Sequence, residues 1–186
     1  MAIEDKEKWN KRYTNNPIPD TPIDIIVNNV NRANIGKALD IAAGMGRHSK
    51  YLAKLGFKVD ALDISSLAIS TLKDIENISA YEVDFDSYKL KKNEYDLIVC
   101  SYFLKRELFP QIVEALKPNG ILIYETFVYH EDNEQVPSVR SFLLEEGELE
   151  NYFKDKLEIL ESKEFWHETI KGLKMKKASL VAQKKC

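Results

Sequence analysis

Asp40, Gly44 and Gly46 stand in KALDIAAGMGRHSKYLAKLG, residues 37–56, where an apolar run meets an acid, two spaced glycines and a helix-like pattern. Gly44 and Gly46 lack a Cβ, so the main chain can turn sharply there and a ligand can approach it closely. The first turn of the following helix offers N–H donors and partial positive charge, which suits a carboxylate or a phosphate. Asp63 ends a second apolar run, FKVDALDIS, where a carboxylate accepts hydrogen bonds from a ribose diol. Asp84 ends a third, ISAYEVDFD, where a carboxylate can accept from an exocyclic adenine amine. Acids at the ends of three successive strands suit adenosine without a pyrophosphate, because a dinucleotide would meet avoidable negative charge along that row. A nicotinamide turn would also prefer glycine or alanine where Ser49 stands, and no acid at Asp40.

Each residue also has a plainer role open to it. Asp63 is placed to cap the helix beginning in SSLAIS, a task that Ser65 or Ser66 can perform instead. Asp96 opens an apolar strand and reads as a structural carboxylate. Arg47 and His48 start the helix after the glycines, where contact with a ligand and exposure to solvent are both open. The lysines of KGLKMKK read as a solvated strand edge that discourages sheet pairing, with an RNA-contacting patch as the sharper alternative. Cys100, inside DLIVCSYFL, reads as a small core residue, and Cys186 as a chain end unsuited to pair with it. His48, His130 and His167 lack ligand-like spacing with the cysteines, so no metal site is expected.

The elements that must position these residues follow from periodicity. Trp9 and Tyr13, four apart in EDKEKWNKRY, share one face of a helix. Thr21, with Pro22 and then Asp24 after it, marks a capped helix start that continues to about Val30. Strands are expected in KALDIA, FKVDALDIS, ISAYEVDFD, EYDLIVCSYF, ILIYETF, KLEILESKEFW and GLKMKKASLVAQK. Helices are expected in RHSKYLAKLG, SLAISTLKDI, RELFPQIVEAL, broken near or starting just before Pro110, and FLLEEGELENYF, with KPNG as a turn. The segment VYHEDNEQVPSVRS is a loop longer than most connections, of the kind that often serves function. Alternation of this length implies an α/β fold: a three-layer, doubly wound sandwich whose seven-stranded, mostly parallel sheet ends antiparallel.

Composition narrows the class. The 186 residues, 44% of them hydrophobic, are expected to form one domain, with residues 1–30 as helices over the ligand site. A net charge of -3 with interspersed signs argues against duplex nucleic acid as a partner. No run approaches the roughly 20 apolar residues that span a bilayer, and no signal peptide opens the chain. A cytoplasmic protein without membrane contact is expected.

The order LDIAAGMG, then Asp63, then VDFD, then YDLIVCSYF, then LKPNGILIYE resembles the class I S-adenosylmethionine-dependent methyltransferases over essentially the whole chain. Within them, KWNKRY and FLLEEGEL are similar to the small bacterial group of tellurite-resistance methyltransferases. The resemblance implies a Rossmann-like methyltransferase fold, S-adenosylmethionine as cofactor and a small-molecule acceptor such as an oxyanion or a thiol. It implies that Asp40 anchors the glycine turn and the methionine amino group, and that Ala42, where the family often has glycine, passes the cofactor with Gly44 and Gly46. Asp63, with Ile64 beside it, would hold the ribose, Asp84 or Phe85 the adenine, and Ser101 with Tyr102 the methionine side. In this fold an N-terminal helix commonly crosses the cofactor, which gives Trp9 and Tyr13 either a lid role or a packing role. The acceptor face would draw on Tyr102, Glu125, His130 and Arg140. A nicotinamide-dependent oxidoreductase shares the glycine turn and Asp63 but leaves Asp84, Ser49 and LKPNG unexplained. A non-catalytic cofactor-binding partner subunit is the remaining alternative.

Overall fold

A computed structural model describes residues 2–15 and 19–185. Its elements are α1 (Ala2–Asn15), α2 (Asp24–Asn29), β1 (Lys37–Ile41), α3 (Arg47–Lys54), β2 (Lys58–Asp63), α4 (Ser66–Ser70), β3 (Ile78–Glu82), β4 (Tyr95–Ser101), α5 (Phe109–Ala115), β5 (Leu116–Phe127), α6 (Glu148–Phe153), β6 (Glu158–Glu168) and β7 (Lys174–Gln183). The seven strands form one sheet in the order β3-β2-β1-β4-β5-β7-β6. β1 to β5 pair in parallel, and β7 runs antiparallel to both β5 and β6. The chain leaves β1 in one direction for β2 and β3 and in the other for β4 and β5, so the strand order reverses between β1 and β4, where α/β sheets open a ligand crevice.

Strand periodicity divides the interior in two. On one face Leu39, Ile41, Ile98, Cys100, Leu122 and Tyr124 pack against Phe109 and Ile112 of α5 and Phe153 of α6. On the other, Ala38, Val59, Leu97, Val99, Ile121, Ile123 and Val181 pack against Ile25 and Ile26 of α2 and Leu52 and Ala53 of α3. Covered on both faces, β1 and β4 are nearly continuous in buried residues, as parallel strands require. The second face carries its apolar rows into polar ends: Ala38 leads to Asp40, Leu97 and Val99 to Ser101, Ile121 and Ile123 to Glu125, and Val181 to Ser179 and Lys177.

Several elements depart from the sequence pattern. The start of α2 is Ile23, with no side-chain cap; Thr21 stands too far upstream to serve. α4 is a single short helix followed by turns. KPNG does not end the helix-to-strand connection: β5 runs through it, with Asn119 at φ 65 and the pairing with β4 jumping from Leu116 to Ile121. A short turn can be absorbed in this way as a bulge. α6 begins only after Gly147, whose φ of 70 breaks the pattern that the flanking leucines suggest. α5 starts just before Pro110, which sits in the first turn, where its missing N–H costs nothing. The free Cys100 is buried, and Cys186 lies outside the described residues. Among those residues no helix is long and apolar enough to cross a membrane, and no group of His, Cys, Asp and Glu is spaced to hold a metal.

α1 lies on α4 through one asparagine. Asn10 Oδ1 accepts from Ser65 Oγ at 2.6 Å and from the Leu67 N–H at 3.2 Å, while its Nδ2 donates to Ser66 Oγ at 3.2 Å. Ser65 itself caps α4 by accepting from the Ala68 N–H. Lys6 pairs with Glu82 at the end of β3.

Phe153 sits at the centre of a ring cluster with Phe109 and Tyr152 and is fully buried. Truncating Phe153→Ala is expected to cost about 3–5 kcal/mol in chemical denaturation. Ile170→Ala, at a fully exposed position, should stay within about 0.5 kcal/mol of the parent.

Candidate functional site at the carboxyl end of the sheet

The turn from β1 to α3 is held by a carboxylate on the neighbouring strand. Ala42, Gly44 and Gly46 have φ of 54, 55 and 78. A left-handed alanine costs on the order of 1 kcal/mol or more, and a Cβ on Gly46 would approach Leu72 Cδ2 to 2.3 Å. Asp63, the last residue of β2, accepts from the Gly44 N–H through Oδ2 and from the Ser65 N–H through Oδ1, both at 2.8 Å. Burial raises the Asp63 carboxyl above its usual range, and the N–H bonds from Ser65, Gly44 and Ile64 work against that rise. Bonds accepted from Gly44, Ser65 and Ile64 still leave a lone pair free on a carboxylate that offers about four sites.

Asp40, at the end of the β1 row, is buried and accepts from Ser49 Oγ at 2.6 Å. This contact gives Ser49 a purpose that a third glycine would lack. Burial pushes the Asp40 carboxyl up to about 7, against the pull of Ser49 and of the nearby Arg47. His48, 2% exposed, stands with Nδ1 4.0 Å from Asp40 and 3.4 Å from Ser101 Oγ. Burial, with Arg47 beside it, pushes its pKa down to about 3, so the ring is neutral at pH 7. Its Nε2 is buried without a partner among the described residues. Arg47 reaches Ser101 Oγ at 3.4 Å and lies 5.2 Å from the centroid of the Tyr102 ring, and no carboxylate among the described residues pairs with it.

Tyr102 follows β4 directly, at φ 55, a backbone state that non-glycine residues seldom adopt. Its N–H extends the β4–β5 ladder by donating to the Glu125 carbonyl at 2.8 Å. Its hydroxyl donates to Glu125 Oε1 at 3.0 Å and accepts from Lys177 Nζ at 2.9 Å, with Lys177 and Glu125 3.5 Å apart. Lys177 is 4% exposed and Glu125 7%. For Lys177 this corrects the reading of KGLKMKK as a solvated edge, while Lys171 and Lys174 are exposed. β7 is inserted between β5 and β6, so both its edges are paired, and Lys177 falls in phase with Ser179 and Val181 on the face that carries Glu125. That phase was the available signal; the insertion was not.

The remaining predicted residues are placed apart. Asp84 is half-buried in a turn of its own, accepting from the Asp86 N–H at 2.9 Å, next to the buried Phe85, while Asp86 pairs with Lys105. Tyr13, 6% exposed, stacks on Trp9 at 5.6 Å. Burial and the carboxylates of Asp63 and Asp40 raise its hydroxyl above the usual range, which puts α1 beside the glycine turn. His130 packs edge-on to Trp166, and Arg140 pairs with Glu145 and lies over Tyr129, so neither is bonded to Tyr102 or Glu125.

Comparison with known proteins bears on the family and the fold. The family model described as tellurite resistance protein TehB matches residues 1–176. A protein of Haemophilus influenzae named "Probable S-adenosyl-L-methionine-dependent methyltransferase TehB" is 33% identical over 165 residues, covering 80% of this chain and 57% of the relative. The chain thus spans little more than half the length of that relative. The crystal structure of TehB from Haemophilus influenzae superposes with a TM-score of 0.75 at 29% identity over 97% of this chain and 67% of that one. An S-adenosylmethionine-dependent methyltransferase of Methanosarcina mazei shares the fold, with a TM-score of 0.64 at 19% identity over 89% of this chain and 99% of that one.

Asp40 and His48 have opposite linkage to stability. The folded state holds the Asp40 proton up to about pH 7 against an ordinary value of 3.8, so this group makes the fold less stable as pH rises between them. His48 is neutral in the fold down to about pH 3 against an ordinary 6.5, so its contribution is lost as pH falls through that window. Relative to the parent, Asp40→Asn should gain stability as pH rises from 4 to 7, and His48→Gln should gain as pH falls from 6.5 toward 3. Thermal melts whose differences are flat across these windows would refute the assignment.

Proposed function

The chain belongs to the TehB family of tellurite-resistance proteins, and from that premise we propose that it is an S-adenosylmethionine-dependent methyltransferase acting on a small-molecule acceptor. The observation that carries the reading is the turn at the strand-order reversal, where three left-handed residues and two buried carboxylates surround main chain that a ligand can approach.

The residues fit that cofactor. Gly44 lets the cofactor approach the main chain of the turn, while Gly46 keeps the turn closed against Leu72. Arg47, uncommitted to any carboxylate of the described chain, suits its carboxylate, and the open N-terminus of α3 adds unpaired N–H donors without a side-chain cap. An ammonium group beside Asp40 would favour the ionised carboxylate that burial opposes. Asp63 retains a lone pair for the ribose diol, with Ile64 next to it, and Asp84 or Phe85, in the turn just after β3, would meet the adenine. Ser101 and Tyr102 flank the methionine side. Tyr13, close enough to feel the charges of Asp63 and Asp40, and Trp9 stacked on it would make α1 a cover over the site.

When bound, the cofactor supplies a methyl group already activated by its sulfonium, so the protein's task is to align a nucleophile with it and exclude water. Tyr102 and Glu125 line the acceptor side. A small acceptor fits a site built within one sheet end and one covering helix.

Calorimetric titration tests the reading. S-adenosylmethionine and S-adenosylhomocysteine should bind, NADH should not, and Asp63→Asn should weaken binding at least about ten-fold, equal to about 1.4 kcal/mol. Preferential binding of NADH, or no binding of either adenosyl compound by the folded parent, would overturn it.

A further inference from the structure

We propose that Tyr102, Glu125 and Lys177 form a proton-accepting relay, and that the acceptor is therefore a protic nucleophile, a thiol or another weakly acidic XH group. The inference rests on the methyl-transfer reading and goes beyond it by naming the acceptor's chemistry and its proton's destination.

The geometry of the three groups has a direction. Lys177 Nζ donates to the Tyr102 oxygen at 2.9 Å, and the Tyr102 hydroxyl donates to Glu125 Oε1 at 3.0 Å. One lone pair of the phenol oxygen remains for a proton arriving from outside the cluster. The hydroxyl is the only one of the three polar groups on the residue that leaves β4 at the reversal point; Glu125 and Lys177 stand behind it on β5 and β7. The left-handed backbone of Tyr102 and the stacking of its ring on Phe127, with centroids 5.2 Å apart, hold the phenol in this position. Lys177 lies 4.6 Å from the ring centroid, and Arg47 covers the ring from α3 at 5.2 Å.

A buried lysine and glutamate that only braced the sheet would bear a desolvation penalty that apolar side chains avoid. A half-buried phenol bridging them is what a proton transfer needs. In the step, a lone pair on X forms the new bond to the methyl carbon, and the electron pair of the breaking carbon–sulfur bond stays on sulfur. The X–H proton passes to the Tyr102 oxygen as the Tyr102 proton passes to Glu125, and the X–H pair stays on X. Nothing beyond the methyl donor is consumed, and the carboxylic acid returns its proton to water. Lys177 is a positioning residue: its ammonium meets the negative charge that grows on the phenol oxygen during the transfer.

The charged groups facing this relay are Arg47 from α3 and Asp24 from α2, which act on Tyr102 with opposite sign. Asp40 and His48 lie beyond Ser101. From β6, Phe165 stands opposite Lys177, with Lys163 over its ring.

Two thiols separate the relay from simple packing. 2-Mercaptoethanol is a thiol at pH 7, whereas 4-nitrothiophenol is already a thiolate and brings no proton. In Glu125→Gln and in Tyr102→Phe, the ratio of kcat/KM for 2-mercaptoethanol to that for 4-nitrothiophenol should fall about 100-fold. Lys177→Met should move the rising limb of kcat/KM against pH for 2-mercaptoethanol up by about one unit, and Lys177→Arg should restore it. Calorimetric affinity of the Glu125 and Lys177 variants for S-adenosylmethionine should stay within about two-fold of the parent, and the thiol ratio in Tyr102→Phe is read at saturating cofactor. If Glu125→Gln does not fold, Tyr102→Phe keeps the ring on Phe127 and carries the comparison. An unchanged ratio overturns the relay, as does a parent enzyme that binds S-adenosylmethionine and methylates neither thiol. A parent that fails to bind S-adenosylmethionine overturns the reading beneath it instead.

Discussion

The carboxylate of Asp63 accepts one N–H from the turn after β1 and one from the turn after β2, and the whole ligand-facing end of the sheet is built around that pair of bonds. Left-handed residues at 42, 44 and 46 are costly for a chain to hold alone. A buried acceptor that satisfies the Gly44 N–H offsets part of that cost and orients the turn. Because the same carboxylate also accepts from Ser65, the start of α4 is tied to the start of α3. Asn10 then accepts from Ser65 and Leu67, which carries the same hydrogen-bonded chain into α1. A single buried acid thus links two helix starts and, through them, the covering helix.

The second constraint is that one face of the sheet turns polar at its carboxyl end. Rows of Ala, Val, Leu and Ile end in the buried Asp40, Glu125 and Lys177 and the half-buried Ser101, each facing a polar neighbour on the same or an adjacent element. Buried polar groups without partners are expensive, so such a row persists only when its members satisfy one another or a ligand. Most do so through Ser49, Arg47 and Tyr102. Among the described residues, His48 Nε2 beside this row and Ser179 Oγ within it are buried without a partner.

Much of this was legible in the sequence because it depends on local order. The glycine turn, the acids closing successive strands, the helix after the glycines and the buried run of β4 all follow from periodicity within a few residues. Ser49 was noticed only as a departure from glycine; its hydrogen bond to Asp40 needed the turn of α3 that brings residues nine apart together. Thr21 failed as a cap because the true helix start lies two residues later. KPNG failed as a boundary because pairing with neighbouring strands carried β5 through it.

What the sequence alone determined is therefore the alternation of strands and helices and the position of the glycine turn after β1, since both rest on spacing that local backbone geometry enforces. Only the tertiary structure decided which charged residues are buried. Lys177 reads as one more lysine in a basic strand. The placement of β7 between β5 and β6 takes it off the sheet edge and sets Lys177 against Tyr102 and Glu125. Strand order is a long-range property of the folded chain, and a side chain's solvation depends on that order rather than on its neighbours in sequence.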